Sequence, residues 1–243
     1  MTMDNPWITQ ACEQHDVPPS RLDTHLQEQY GQLGEDLVLD ALLKSYFHRH
    51  GLEPDRIRYL EIGANHPVQT SNTYLFHNKW GGKGILVEAN AALVPALKRV
   101  RTRDVVLNYA VVPAGQEGMV TLNVAENPEL SSLDKAHVES FGEIGGVAGT
   151  REVEALTLDE LLDNCFPEGL HLMSIDIEGL DLPVLEGAAF RRRPVFIVAE
   201  PSRHYFDDVE QSFARVLTQQ RYVEVARTDF NIIYLDRAVG LDG

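Results

Sequence analysis

The feature that most constrains this chain is a steady alternation of short apolar runs with stretches of helical period. Runs of β character fall at 57–62, 85–88, 105–112, 171–177 and 195–200, the third being one strand or two joined. Helix-compatible stretches fall at 34–48, 71–80, 91–100, 157–164, 180–190 and about 208–219. Strand and helix in turn predict a parallel sheet covered on both faces. Val195-Phe196-Ile197-Val198 is apolar without a break, as a central parallel strand should be. The last two strand-like runs, 222–226 and 231–235, are too close in sequence for a crossover and predict an antiparallel hairpin. Residues 119–124 alternate like an edge strand, and 126–150 read as a loop holding one short helix. The expected architecture is a Rossmann-like α/β sheet, mostly parallel, with a C-terminal antiparallel hairpin. It forms one domain over 1–243, in which residues 1–50, an arm and a helix, pack on a core at 55–236.

Composition narrows the function classes. The formal net charge is −16, so the mean field repels polyanions, and no nucleic acid or anionic membrane surface is expected as a partner. The basic runs Lys98, Arg99, Arg101, Arg103 and Arg191, Arg192, Arg193 read as solvated helix ends. Cys12 and Cys165 are far apart and lack metal or redox spacing, which suits a reducing compartment. With no basic-then-apolar start and no apolar run near the roughly 20 residues of a membrane span, a soluble, cytoplasmic protein is expected. A homo-oligomer is compatible with this reading.

In such sheets ligands bind beyond the carboxyl ends of the strands, where the strand order reverses. The first strand closes on Glu61-Ile62-Gly63-Ala64-Asn65. Gly63 permits close approach of a ligand to backbone, while Glu61 and Asn65 suit an ammonium and a carboxylate. Glu88 closes the second strand and suits a pair of ribose hydroxyls. Asn108-Tyr109-Ala110 closes the third and suits the edge and face of a purine. Amino acid, ribose and base in chain order are the parts of S-adenosylmethionine. The dinucleotide alternative fares worse, because GxGxxG needs a second glycine where Asn65 stands, and Pro67 occupies the helix entry.

These residues bring a family into view. The chain resembles the FkbM-type methyltransferases over roughly residues 30–236. The likeness rests on Tyr30-Gly31-Gln32-Leu33-Gly34-Glu35-Asp36, Glu61-Ile62-Gly63-Ala64-Asn65-His66-Pro67 and Ser71-Asn72-Thr73-Tyr74. Gly84-Ile85-Leu86-Val87-Glu88-Ala89-Asn90, Ser131-Ser132-Leu133 and Ile175-Asp176-Ile177-Glu178-Gly179 extend it. The resemblance implies a class I methyltransferase sheet and O-methylation of hydroxyls on sugars, glycans or secondary metabolites. It also implies a cofactor set of Gln32, Glu61, Gly63, Asn65, Ser71, Asn72, Glu88, Asn108, Ala110 and Asp176. His66-Pro67 departs from the family's usual Asp-Gly and moves the expected methionine-carboxylate contacts to Ser71 and Asn72.

On the acceptor side, Asp176 and Glu178 close one strand and Glu200 the next, with adjacent strands about 4.8 Å apart. Carboxylates that close repel unless they are protonated or bridged by a cation. Asp176 and Glu200 are therefore candidate ligands for a divalent ion such as Mg²⁺. Asp176, Glu178, Glu200 and His204 form the candidate catalytic set, with Glu178 or His204 as base. Ser131, Ser132 and residues 142–149 read as an acceptor loop and lid, and Arg151 and Arg203 as residues for orienting an anionic acceptor. The rival to an enzyme is a catalytically silent cofactor-binding module in a biosynthetic complex.

Overall fold

The computed structural model describes residues 29–142, 146–201 and 209–239, so the N-terminal arm, Arg203 and His204 lie outside the described residues. Five strands run parallel: β1 (Arg58–Ile62), β2 (Lys83–Val87), β3 (Val105–Leu107), β7 (Leu170–Ile175) and β8 (Pro194–Ala199). With β9 (Tyr222–Arg227) and β10 (Ile232–Asp236) they form a seven-stranded sheet, ordered β3-β2-β1-β7-β8-β10-β9. The expected hairpin is present. Its second strand turns inward, so that β10 lies antiparallel to both β8 and β9.

Period two in the strands sends alternate residues to two separate cores. Leu60, Ile62, Met173, Ile175, Ile197 and Ala199 face one side. There they meet α5 (Leu158–Cys165), α6 (Asp181–Gly187) and α7 (Val209–Gln219) through Leu161, Leu185 and Phe213. Tyr59, Leu172, Phe196 and Val198 face the other side, against Leu39, Leu43 and Phe47 of α1 (Glu35–His50) and Phe76 of α2 (Tyr74–Asn78). Each large side chain so buried contributes roughly 1.5–3 kcal/mol. Glu61 shares the parity of Tyr59 and points to the α1–α2 side. α3 (Val94–Val100) closes the β2–β3 flank through Val94 and Leu97.

Two expectations are corrected between 105 and 157. The run 105–112 is two strands in different sheets, since β4 (Ala110–Val112) leaves the main sheet after β3. And β6 (Val147–Thr157) begins within the ground read as loop, over 147–150, pairing antiparallel with β5 (Gly118–Ala125) and parallel with β4. The three make a small sheet ordered β4-β6-β5, with α4 (Lys135–Ser140) beyond β5. Only Val153 and Ala155 of β6 turn fully inward, while Arg151, Glu152 and Glu154 are exposed. Thr157 ends this strand and starts α5 with a capping box: its hydroxyl accepts from Glu160 N–H, and Glu160 accepts from Thr157 N–H.

Candidate active site

The strand order reverses between β1 and β7, and a cavity of about 420 Å³ opens there at the carboxyl ends of the strands. Its wall gathers Gly63 and Asn65 after β1, Glu88 after β2, Tyr109 and Ala110 at β4, and Asp176, Glu178 and Glu200 after β7 and β8. Ser131 and Ser132 close it from the β5–α4 connection, and Gln32 from the segment before α1. A small polar recess of about 50 Å³ continues it past Asn65, Asn72, Ser174 and Asn231.

Gly63 is required for a reason beyond ligand approach. Its φ is +78°, and a Cβ built there would fall 1.7 Å from the carbonyl oxygen of Asp176. The close approach is made by β7's own backbone, which sets the distance between the two strand ends. Asn65 and Thr70 also hold positive φ, 41° and 60°, and both line the cavity. His66, where the family usually has Asp, accepts from the N–H groups of Val68 (3.1 Å) and Gln69 (2.8 Å), and so caps this loop.

Glu88 is oriented by two backbone donors: Asn65 N–H to Oε2 (2.8 Å) and Asn90 N–H to Oε1 (2.7 Å). Each oxygen keeps a further lone pair for a ligand hydroxyl. Burial pushes this carboxyl above its ordinary value, and the two N–H groups pull it partly back.

Three expected cofactor residues are spent inside the protein. The Glu61 carboxylate accepts from Ser71 Oγ (2.9 Å), Asn72 N–H (3.0 Å) and Thr73 Oγ1 (2.7 Å), with Arg101 Nη1 at 3.5 Å. It has its cation already, so an ammonium finds no uncompensated charge there. The Ser71 hydroxyl also accepts from Tyr74 N–H (3.1 Å), so its bonds are made to the protein's own groups. Asn108 donates to the carbonyls of Glu88 (2.7 Å) and Ala89 (3.0 Å) and ties the β3–β4 turn to the end of β2. Asn72 keeps a place at the recess, donating to Ser174 Oγ at 3.1 Å.

Arg101 corrects the reading of its basic run as solvated. It is wholly buried, donating to Asp104 Oδ2 (2.7 Å), Thr73 Oγ1 (2.7 Å) and Ser71 Oγ (3.1 Å). Asp104 in turn accepts from Tyr59 OH (2.6 Å) and Gly84 N–H (2.9 Å). Arg193 of the second run is held by Asp236 at 2.7 Å and lies over the Tyr222 ring. Arg151 is exposed on β6 and does not line the cavity.

Glu88, Glu129, Asp176, Glu178 and Glu200 line the cavity, and no Lys, Arg or His does among the described residues. Burial first, then the charges of Glu178, Glu200 and Asp181, hold Asp176 well above the carboxylate range. The metal expectation at Asp176 and Glu200 gains no support here. Among the described residues no three His, Cys, Asp or Glu side chains are placed to hold an ion.

Glu178 sits at φ 52°, a left-handed conformation costing about 1–2 kcal/mol for a residue with a Cβ. Ser132 Oγ donates to its carbonyl at 2.7 Å, and His137 Nε2 meets its Oε2 at 2.9 Å. His137 was not among the expected site residues. It is a lone histidine in a polar segment, and its one sequence signal is the helix cap Asp134, whose Oδ1 accepts from Ala136 and His137 N–H. Of the expected lid, 147–149 belong to β6, paired with β5.

A Rossmann-like sheet with this strand order, an inserted antiparallel last strand and a ribose-competent acid after β2 defines the class I S-adenosylmethionine-dependent methyltransferases. The family profile described as "Methyltransferase FkbM domain" matches residues 61–224, and the chain belongs to that family. Comparison with curated proteins finds no match. Among solved structures it is similar to an O-methyltransferase from Bacillus cereus, in complex with SAH. That likeness has 13% identity and a TM-score of 0.42 over 79% of each chain. It is also similar to a TehB-like SAM-dependent methyltransferase from Corynebacterium glutamicum, at 13% identity and TM-score 0.40 over 96% of this chain and 100% of that one.

Proposed function

We propose that this methyltransferase moves the methyl group of S-adenosylmethionine to a hydroxyl of a sugar, glycan or secondary metabolite. The observation that carries the reading is that Asp176, Glu178 and Glu200 share one cavity with Gly63, Glu88 and Ala110. Glu88 would take the ribose hydroxyls, Tyr109 and Ala110 the purine, and Asn65, Asn72 and Gln32 the methionine end, with Asp176 as partner of its ammonium. The cofactor supplies a methyl group on a sulfonium, a good leaving group. As the C–O bond forms and the C–S bond breaks, the hydroxyl proton must leave, and Glu178, which lines the cavity, would serve as the base that takes it. Alignment of that hydroxyl falls to Glu178, Glu200 and Ser132.

Among the described residues the charged groups of the lining are all acidic, which favours a neutral or amine-bearing acceptor over a sugar phosphate or nucleic acid. Among the described residues no helix is long and apolar enough to cross a membrane, and we read the protein as cytoplasmic. Three carboxylates kept at the rim argue for chemistry over a silent binding module. The test is release of S-adenosylhomocysteine with a panel of methyl pyranosides, amino sugars and sugar phosphates. Turnover confined to uncharged or amino sugars is expected, and strict preference for the phosphates would overturn the acceptor class.

A further inference from the structure

We infer that His137 is the positioning residue of the reaction: it reaches from α4 to fix the Glu178 carboxylate for proton removal. The inference rests on Glu178 acting as base in the O-methyl transfer above. Four observations support it. First, the His137 ring is 1% exposed, and its Nε2 lies 2.9 Å from Glu178 Oε2. A carboxylate only accepts, so Nε2 carries the hydrogen and donates it.

Second, the ring lies against Gly179, where a Cβ would fall 3.0 Å from His137 Nδ1. Gly179 has φ +102°, so both the space and the backbone conformation call for glycine beside this histidine. Third, the helix bearing the ring is anchored at both ends: Asp134 caps its start, and Ser140 Oγ donates to the His137 carbonyl at 2.7 Å. Phe141 stacks edge-on against the imidazole at 5.2 Å and also lines the cavity. Fourth, the Glu178 backbone is clamped from the same excursion, by Ser132 Oγ on its carbonyl.

One oxygen of Glu178 is thus held by the imidazole, and the carboxylate as a whole borders the cavity. The geometry assigns Oε2 to orientation and Oε1 to the acceptor hydroxyl. The proton balance closes on this chain's own groups. The hydroxyl proton passes to Glu178 as the ether C–O bond forms, and the sulfonium leaves as a neutral thioether. His137 stabilises the carboxylate beforehand and touches no reacting atom.

The test uses the full-length protein with S-adenosylhomocysteine, and then with the pyranoside that the wild type methylates fastest. Two-dimensional ¹H–¹⁵N spectra of histidine-labelled protein should show a protonated Nε2 at His137 that shifts in Glu178→Gln. His137→Leu should lower kcat about 100-fold, within the range for a displaced general base, and leave S-adenosylhomocysteine affinity within about twofold. His137→Gln places an amide donor near the lost Nε2 and should recover about tenfold of that loss. An unshifted imidazole signal overturns the proposal. So do full turnover in His137→Leu, or equal losses in the Leu and Gln variants, which would indicate packing alone. Absence of wild-type turnover across the panel would sink the proposed activity and this inference together; a shifting imidazole would then still locate the failure in the chemistry, not the pair.

Discussion

Glu61 and Asp176 sit at the ends of neighbouring strands, β1 and β7, and the protein provides for their charges in opposite ways. Glu61 turns to the α1–α2 side and receives a cation, two hydroxyl donors and a backbone N–H. Asp176 turns to the cavity and receives two further carboxylates as wall partners and no basic side chain among the described lining residues. A buried charge left unpaired costs several kcal/mol, so the first arrangement is what stability alone would produce. The second fits the proposed cofactor, whose ammonium and sulfonium would bring positive charge to this wall. One carboxylate is paired within the fold, and the other, in the proposed reading, meets the cofactor.

The comparison breaks most visibly at Arg101. Arg101→Leu strands Glu61 and Asp104 in the interior and should cost about 3–5 kcal/mol in denaturant unfolding. A loss below about 1 kcal/mol would mean that Glu61 is not provided for as described. Gly63→Ala should cost roughly 3 kcal/mol from backbone strain and overlap with the Asp176 carbonyl, and should abolish cofactor binding in calorimetry. An alanine variant that binds normally would show that the strand ends can separate without consequence.

The rim side is sharpened by pH. Burial, then the charges of Glu178, Glu200 and Asp181, raise the Asp176 carboxyl, so a proton there would compete with the cofactor's cation. Affinity for S-adenosylmethionine should therefore rise with pH until Asp176 is ionised, by at most about tenfold per pH unit for one proton. Asp176→Asn should remove this slope. A wild-type affinity flat from pH 5 to 8, at about the same level as in Asp176→Asn, would contradict the role given to Asp176. The smallest effect is expected at His66. Asp at this position keeps an acceptor for the Val68 and Gln69 N–H groups, so His66→Asp should change stability by only about 0.5 kcal/mol in thermal melts.

The same contrast explains what could be read from the residues. The β1, β2, β7 and β8 cores are legible because both faces are apolar, and the alternation with helices leaves one architecture. Glu88, Ala110 and Asp176 fall at the rim for that reason. β6 is not legible, because its outer face carries Arg151, Glu152 and Glu154 and only two small residues of its inner face are fully buried. Arg101 hides among exposed Lys98, Arg99 and Arg103, and its partner Glu61 is 40 residues away. Glu61 itself could have been placed by parity, since it shares a face with Tyr59 and not with Ile62. His137 could not, because its partner Glu178 lies 41 residues on, across an excursion whose fold has no strong period.

The central claim is that Glu88 receives the ribose of a cofactor seated at the carboxyl rim of the sheet. Titration calorimetry of S-adenosylhomocysteine into the wild type and Glu88→Ala measures it directly. Loss of two carboxylate–hydroxyl hydrogen bonds predicts a Kd weakened about 10- to 100-fold. Equal affinity in the two proteins would place the cofactor elsewhere.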